Sequence, residues 1–174
     1  LKDGKGSTWE GGLRVPGIFW APGRVQPRTV LDIGAILDLT PTIASLTGTA
    51  LPTGRAIDGV DLSPTLLRGA PSPRETFAFW RDAELYAIRK GPWKAHFITR
   101  GAYSRGTPRV IHNPPELYHL GNDPGERWNV AAAHPSVVQE LTALADAHRK
   151  AVPFGEPLIE RRLPAMGPGL VNNR

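Results

Sequence analysis

The sequence predicts an α/β protein in two parts, and three observations lead to that prediction. Residues 1–70 contain short apolar runs separated by turn residues and by two helix-start signals. Residues 69–73 read Gly-Ala-Pro-Ser-Pro, and two prolines in three residues favour an extended linker. Beyond the linker, apolar runs alternate with turns and are followed by an amphipathic helix, which is typical of a small antiparallel sheet with a C-terminal helix.

The first part is expected to contain one or two buried strands. Residues 15–21 (Val-Pro-Gly-Ile-Phe-Trp-Ala) form an apolar run rich in residues that favour β-structure. Residues 29–37 are again apolar, but they fit either a second strand or a short buried turn of helix. The alternative stays open at this point, because periodicity does not separate a strand from a helix in so short a run.

Two short helices are predicted by the same pair of end signals. Thr40 can accept hydrogen bonds from free amides as an N-cap, Pro41 suits the first helical position, and Gly48 stops the helix. The pattern recurs with Ser63 as the cap and Gly69 as the stop. No regular period joins the two helices, so the pattern does not indicate a repeat fold.

Four strands are predicted after the linker. They cover residues 76–81, 85–90, 93–99 and 116–120, with a long irregular loop at 99–115. In the third strand, alternation places Lys94, His96 and Ile98 on one face. The turn at 122–125 is expected to use Asp123 to bond its own backbone and Gly125 for the left-handed position.

The last predicted element is a helix that ends before Pro153. It starts either with Pro135 at its first position or with Ser136 as N-cap in a capping box with Gln139. Its apolar stripe consists of Val137, Leu141, Leu144 and Ala145. The tail from residue 155 is rich in proline and glycine, and we expect it to wrap the surface.

Composition limits the possible functions. The 174 residues are 40% hydrophobic, which is enough for a core, and they include no cysteine, which excludes disulfides and thiol chemistry within the chain. The net charge of +5 and the sequence pI of about 10.0 are one signature of nucleic-acid binding. The basic residues are scattered, however, with no run longer than a doublet, so we expect a solvated basic surface. Attraction of anionic substrates is an alternative that charge steering permits. No apolar run is long enough to span a bilayer.

Residues 4–16 (Gly-Lys-Gly-Ser-Thr-Trp-Glu-Gly-Gly-Leu-Arg-Val-Pro) are the most informative segment. Four glycines accompany the single lysine Lys5, and such a loop can wrap an anion. The spacing is not that of a P-loop, because Gly6 separates Lys5 from the hydroxyl residues. We expect Glu10 to order the loop by accepting backbone amides. The alternative is a glycine-rich surface turn with a solvated lysine.

Three segments in this order closely resemble the sulfatases, in the branch of arylsulfatase A and N-acetylgalactosamine-6-sulfatase. The first is the segment 4–16. The second comprises the Asp-Leu-x-Pro-Thr element and the element at 57–62, and the third is Leu-Tyr-x-Leu-x-x-Asp-Pro-Gly-Glu-x-x-Asn at 117–129. The resemblance covers residues 4 to about 152. It implies the C-terminal part of the alkaline-phosphatase-like sulfatase fold. Residues 1–70 would end the main catalytic α/β domain, 74–154 would form the small antiparallel subdomain, and 155–174 the tail.

The resemblance also implies roles for particular residues. The family's lysine touches the substrate sulfate, which makes Lys5 the catalytic candidate. His96, in the run Lys94-Ala95-His96-Phe97, is expected near the substrate entrance, although a strand histidine with a satisfied hydrogen bond is the alternative. Asp58 and Asp61 are expected to fix turns rather than ligate metal.

The family's formylglycine nucleophile and calcium ligands would lie upstream, and no metal ligand is assigned here. The chain starts without a methionine or a leader pattern and is expected to be part of something longer. We therefore expect it to be inactive alone, and to need its N-terminal part or to form a homo-oligomer. The expected ligand is a sulfated small molecule or glycan, and neither nucleic acid nor membrane is expected as a partner. Sugar sulfates, aryl sulfates and related phosphoesters all stay open as substrates. The alternative is a non-catalytic module that binds anions or sulfated glycans.

Overall fold

The computed structural model describes residues 1–104 and 107–152, so the expected tail at 155–174 lies outside the described residues. Short helices come first, followed by four strands and a long final helix. The helices are α1 (Glu10–Leu13), α2 (Leu39–Thr47), α3 (Ser63–Arg68) and α4 (Pro135–Ala151). The strands are β1 (Thr76–Arg81), β2 (Glu84–Lys90), β3 (Trp93–Thr99) and β4 (Val110–His119).

The four strands form one antiparallel sheet in the order β1-β2-β3-β4. This confirms the predicted sheet and the bounds of β1 and β3. The prediction for the fourth strand was wrong at its start, because residues 110–115 belong to β4 rather than to a loop. Their β-character comes from the pairing of Val110 with Thr99 and of Ile111 with Ile98. Two prolines in this stretch conceal that pairing from a local pattern, and edge strands tolerate proline.

Helix α4 covers one face of the sheet and closes the main hydrophobic core. Leu141 and Ala145 are buried against apolar side chains of the strands, as the predicted stripe requires. The expected face of Ile98 was wrong, because Ile98 joins this core together with Ala95 and Phe97. The register of β3 against β4 shifts between His96 and Ile98, and such a shift moves a side chain to the other face.

The first part contains no strand in its described residues, so the strands expected at 15–21 and 29–37 were wrong. Only a 3₁₀ turn at Ile36–Asp38 falls in these segments. Most of their large apolar side chains are exposed, with Ile18 at 88% and Trp20 at 84%. A strand needs a neighbouring strand to bond its amides and carbonyls, and no described segment lies beside these residues in that way.

The helix ends follow the predicted signals more closely than the helix starts. Gly48 and Gly69 end α2 and α3 with φ of 69° and 74°, the left-handed conformation that glycine adopts without strain. Helix α2 begins at Leu39, so Thr40 lies inside the first turn and was wrongly expected as the cap. Helix α4 begins at Pro135, which decides between the two predicted starts.

The fully buried carboxylate of Asp38 connects the first part to the start of the sheet. It accepts hydrogen bonds from the amides of Ala35 and Val60, both at 2.8 Å, and from the guanidinium of Arg74 just before β1. Burial alone would raise the pKa of Asp38, but the bonds from Arg74 and the two amides outweigh it and lower that pKa. Asp61 fixes the start of α3 as expected, by accepting from the amide and hydroxyl of Ser63.

No helix within residues 1–104 or 107–152 combines the length and apolar character that a membrane crossing requires.

Candidate functional site

The segment that carries Lys5 is a compact loop that leads into α1. The amide and the hydroxyl of Ser7 both donate to the carbonyl of Gly4, at 3.2 and 3.0 Å. The amide of Gly11 donates to the carbonyl of Lys2 at 2.9 Å and closes the loop at its base. Lys5 is exposed, and no described residue forms a hydrogen bond or ion pair with it. Its ammonium is therefore available to an anion.

The glycines at the base of this loop allow the backbone to fold back on itself. A Cβ atom at Gly11 would overlap the carbonyl oxygens of Lys2 and Asp3. A Cβ atom at Gly12 would overlap the carbonyl oxygen of Ser7. Backbone cannot move aside as a flexible side chain can, so no larger residue fits at either position without reopening the loop.

A cluster of buried polar side chains lies beneath the loop, and we call Glu10, Lys94, His96 and Glu126 the charge cluster. The ammonium of Lys94 contacts Glu10 Oε1 at 2.9 Å, Glu126 Oε1 at 3.0 Å and the carbonyl of Thr8 at 2.8 Å. Glu126 Oε1 also lies 2.8 Å from His96 Nε2, and Glu126 Oε2 accepts the amide of Glu10 at 2.6 Å. Lys94, His96 and Glu126 have no exposed surface.

The protonation states within the charge cluster follow from its geometry. Burial lowers the pKa of His96 to about 4, although its hydrogen bond with Glu126 acts in the opposite direction. Burial would raise the pKa of Glu126, but the bond from His96 and the charge of Lys94 lower it below its ordinary value. A neutral imidazole beside an ionised carboxylate must donate through Nε2. His96 Nδ1 is then an unprotonated acceptor, and no described group bonds to it.

Two sequence expectations fail here. Glu10 does not order the loop by accepting backbone amides, because its carboxylate faces Lys94 and its own amide is the group that donates. The left-handed residue after Asp123 is Glu126, with φ of 49°, and Gly125 does not adopt it. The other half of that prediction is confirmed, because Asp123 Oδ2 accepts the backbone amides of Arg127 and Trp128, at 2.7 and 2.9 Å. This turn therefore serves to direct Glu126 into the protein.

Aromatic rings complete the contact between the loop and the sheet. The ring of Trp9 lies on that of His96 with 4.2 Å between centroids, and it meets Tyr118 edge-on at 5.7 Å. The ammonium of Lys2 lies 3.5 Å from the centroid of Trp9. Lys2 thus covers the outer side of an indole that is otherwise buried.

Tyr103 packs against Gly6, the residue that follows Lys5. Its ring atoms lie 3.5 Å from the position of a Cβ atom at Gly6, and its side chain is 65% exposed. Asp3 connects the two segments, because it accepts the amides of Gly4 at 2.8 Å and of Ala102 at 3.1 Å. Tyr103 lies in a stretch expected to be irregular, and no local pattern indicates that it would pack on Gly6.

The two predicted site residues differ in exposure to solvent. Lys5 faces outward on the loop, whereas His96 is enclosed beneath it. A cleft of about 750 Å³ and another of about 610 Å³ are lined by other residues. The charge cluster was not predicted as a unit, although the alternation in β3 correctly placed Lys94 beside His96. Glu126 lies within the motif at 117–129, but nothing in that motif indicates that its side chain is buried.

The described residues also provide no set of metal ligands. Within 1–104 and 107–152, no group of three or more His, Cys, Asp and Glu side chains could hold a metal ion. Calcium is therefore assigned to none of these described residues.

Comparison with known proteins now identifies the family. The family model described as the C-terminal region of aryl-sulfatase matches residues 72–169, which is more than half of the chain. The chain belongs to the sulfatase family. Human arylsulfatase A is 39% identical over 163 residues, covering 83% of this sulfatase chain and 32% of that protein. N-acetylgalactosamine-6-sulfatase of Canis lupus familiaris is 35% identical over 177 residues, covering 88% and 34%.

Solved structures agree with this assignment. The PsFucS1 sulfatase from Pseudoalteromonas sp. matches with a TM-score of 0.74 at 26% identity, covering 84% of this chain and 32% of that one. A structure described with the metabolism of multiple glycosaminoglycans by Bacteroides thetaiotaomicron matches with a TM-score of 0.70 at 32% identity, covering 86% and 32%. The predicted fold class, the C-terminal part of a sulfatase, is confirmed. The chain spans about a third of the length of the curated relatives it matches.

Stability is expected to depend on pH through His96. The unfolded chain binds a proton at His96 below the ordinary pKa of 6.5, whereas the folded chain does so only below about 4. The free energy of unfolding should therefore fall as the pH decreases from 6.5 to 4, by on the order of 3 kcal/mol. Denaturant unfolding of the complete protein at several pH values measures this.

The variant His96→Gln provides the comparison for that slope. This variant should have a lower free energy of unfolding than the wild type at neutral pH. Its free energy of unfolding should not show the decrease between pH 6.5 and 4 that comes from His96. The lowered pKa values of Glu126 and Asp38 predict a separate loss at lower pH, below their ordinary pKa values of 4.5 and 3.8. An unchanged slope between pH 6.5 and 4 in the variant would show that His96 is not buried in its neutral form.

Proposed function

We propose that this chain supplies an active-site cation, Lys5, and part of the pocket wall to the hydrolysis of sulfate esters by a complete sulfatase. The observation that carries the proposal is an exposed ammonium that has no partner among the described residues, on a loop that is fixed on both sides. Membership of the sulfatase family gives that ammonium an anionic substrate. Lys5 would contact the sulfate or the ester oxygen that leaves.

The chemistry asked of Lys5 is electrostatic. Negative charge grows on the leaving oxygen as the sulfur–oxygen bond breaks, and a cation already fixed beside that oxygen lowers the barrier without having to reorganise. The tight glycine turns and the buried charge cluster support this role, because they limit movement of the loop. Tyr103, exposed beside Gly6, is the described side chain best placed to form the wall next to Lys5.

The remaining catalytic groups are assigned to the rest of the enzyme. We expect the formylglycine nucleophile and the calcium ion of the family to be held by residues of the N-terminal part. The chain alone should then be inactive. The substrate is a sulfated small molecule or a sulfated glycan, since relatives include an arylsulfatase and an N-acetylgalactosamine-6-sulfatase.

Replacing Lys5 tests the central assignment. In the complete enzyme, Lys5→Ala should lower kcat by about 10²–10³-fold, the usual cost of removing one group that stabilises transition-state charge. Steady-state kinetics on an aryl sulfate and on a sulfated sugar measure this. Lys90→Ala is the matched control, because Lys90 is a half-exposed cation paired with Glu140 across the sheet from the loop. Equal activities of the wild type and Lys5→Ala would end the proposal.

A second experiment separates the enzyme part from the non-catalytic module. The exposed apolar side chains of residues 15–36 fit a surface that packs against the N-terminal part. The chain alone should show no sulfatase activity and should self-associate in light scattering at high concentration. Adding the N-terminal part in trans should restore activity and reduce self-association. Binding of sulfated glycans without any restored activity would favour the non-catalytic module.

His96 is kept as a proposed contributor to substrate handling, with a narrower role. Because its side chain is enclosed in this chain, an effect on substrate would act through Glu126 and Trp9. In the complete enzyme, His96→Ala should raise KM or lower kcat by at least about threefold, in line with a loss of positioning. Unchanged kinetics on every substrate would leave His96 with a structural role only.

A further inference from the structure

Glu126 contacts both ends of the segment that carries Lys5. Its backbone carbonyl accepts the ammonium of Lys2 at 3.2 Å, three residues before Lys5. Its carboxylate accepts the amide of Glu10 at 2.6 Å, five residues after Lys5. Residues 2 and 10 therefore meet the same residue of a turn more than 110 positions later in the chain.

The position of Glu126 is itself fixed from several sides. Lys94 and His96, neighbours on one face of β3, both contact its Oε1 atom, at 3.0 and 2.8 Å. Its backbone is held in the left-handed conformation, which non-glycine residues adopt only where the surrounding structure requires it. The carboxylate has no exposed surface, so water cannot replace any of these partners.

The loop between residues 2 and 10 has little freedom once its ends are held. The amide of Gly11 bonds to the carbonyl of Lys2 at 2.9 Å, and Ser7 bonds twice to Gly4. A shift at Glu10 must therefore be transmitted along a short, internally bonded segment to Lys5. Displacements of about 1 Å at a reacting group can cost 10²-fold in rate.

We propose that Glu126 is a positioning residue for Lys5. By holding residues 2 and 10 against the small sheet, it fixes where the Lys5 ammonium meets the sulfate ester. This inference rests on the proposed function of Lys5. Glu126 itself does not touch the substrate.

The test is a double-mutant cycle in the complete enzyme. Glu126→Gln keeps the shape of the side chain but removes the charge that Lys94 and His96 share. Alone, it should lower kcat and kcat/KM together by about 10²-fold, since the interaction lost through Lys5 is made in the transition state. In the Lys5→Ala background it should change kcat by less than about threefold, because its effect passes through Lys5.

Asp38→Asn is the matched control for stability. Asp38 is also a fully buried, ion-paired carboxylate, but it has no contact with residues 2–10 among its described partners. Asp38→Asn should lower the midpoint of denaturant unfolding about as much as Glu126→Gln does. It should leave kcat within about twofold of the wild-type value, because the loss of this carboxylate is not transmitted to the loop. A loss of kcat in Asp38→Asn equal to that in Glu126→Gln would overturn the inference.

The other outcomes are equally distinct. Additive effects of Lys5→Ala and Glu126→Gln would show that Glu126 acts on general stability and would overturn the inference. If Lys5→Ala leaves kcat unchanged, the proposed function of Lys5 is wrong, and with it the inference that rests on it. If Glu126→Gln does not fold, Lys2→Met decides, because it removes the contact at the other end of the loop and keeps an apolar stem on Trp9. It should lower kcat by about three- to tenfold only when Lys5 is present, and wild-type kcat would overturn the inference.

Discussion

One buried carboxylate, that of Glu126, sets the arrangement of this site. An ionised carboxylate without exposed surface is tolerated only when charged and polar donors surround it. Here Lys94, His96 and the amide of Glu10 supply those donors, and each comes from a different stretch of chain or a different position on β3. Removing any one of them takes away one of the three contacts that stabilise this buried charge. The loop, β3 and the turn after β4 are therefore interdependent.

That interdependence gives a small loop a definite shape. Glycine-rich loops on a protein surface are ordinarily mobile, and a lysine on such a loop would be a poor partner for a transition state. In this chain the flexible residues serve close backbone approach at the base of the loop, while its ends are bonded to a sheet with its own core. Lys5 combines an exposed ammonium, unpaired within the described part of the chain, with a backbone that has few alternative conformations.

The two parts of the chain bury their apolar side chains to different extents. The sheet and α4 enclose Leu117, Leu141 and Ala145 almost completely. The first part leaves Ile18, Trp20 and similar residues exposed, and it is connected to the sheet by polar contacts such as that of Asp38 with Arg74 and by the ring of Trp9 on His96. Within the described residues, the second part thus has a hydrophobic core of its own, whereas most large apolar side chains of residues 15–37 stay exposed.

The sequence by itself determined the features that depend on near neighbours in the chain. These were the hairpin strands, the glycine stops of α2 and α3, the apolar stripe of α4, the face shared by Lys94 and His96, and the family. Only the tertiary structure decided the features that depend on distant partners. Residues 15–21 have strand-like composition but no neighbouring strand, residues 110–115 look irregular but pair with β3, and Glu126 reads as a turn residue but is buried. Hydrogen-bond pairing and burial of charge are properties of groups far apart in sequence, so no local pattern contains them.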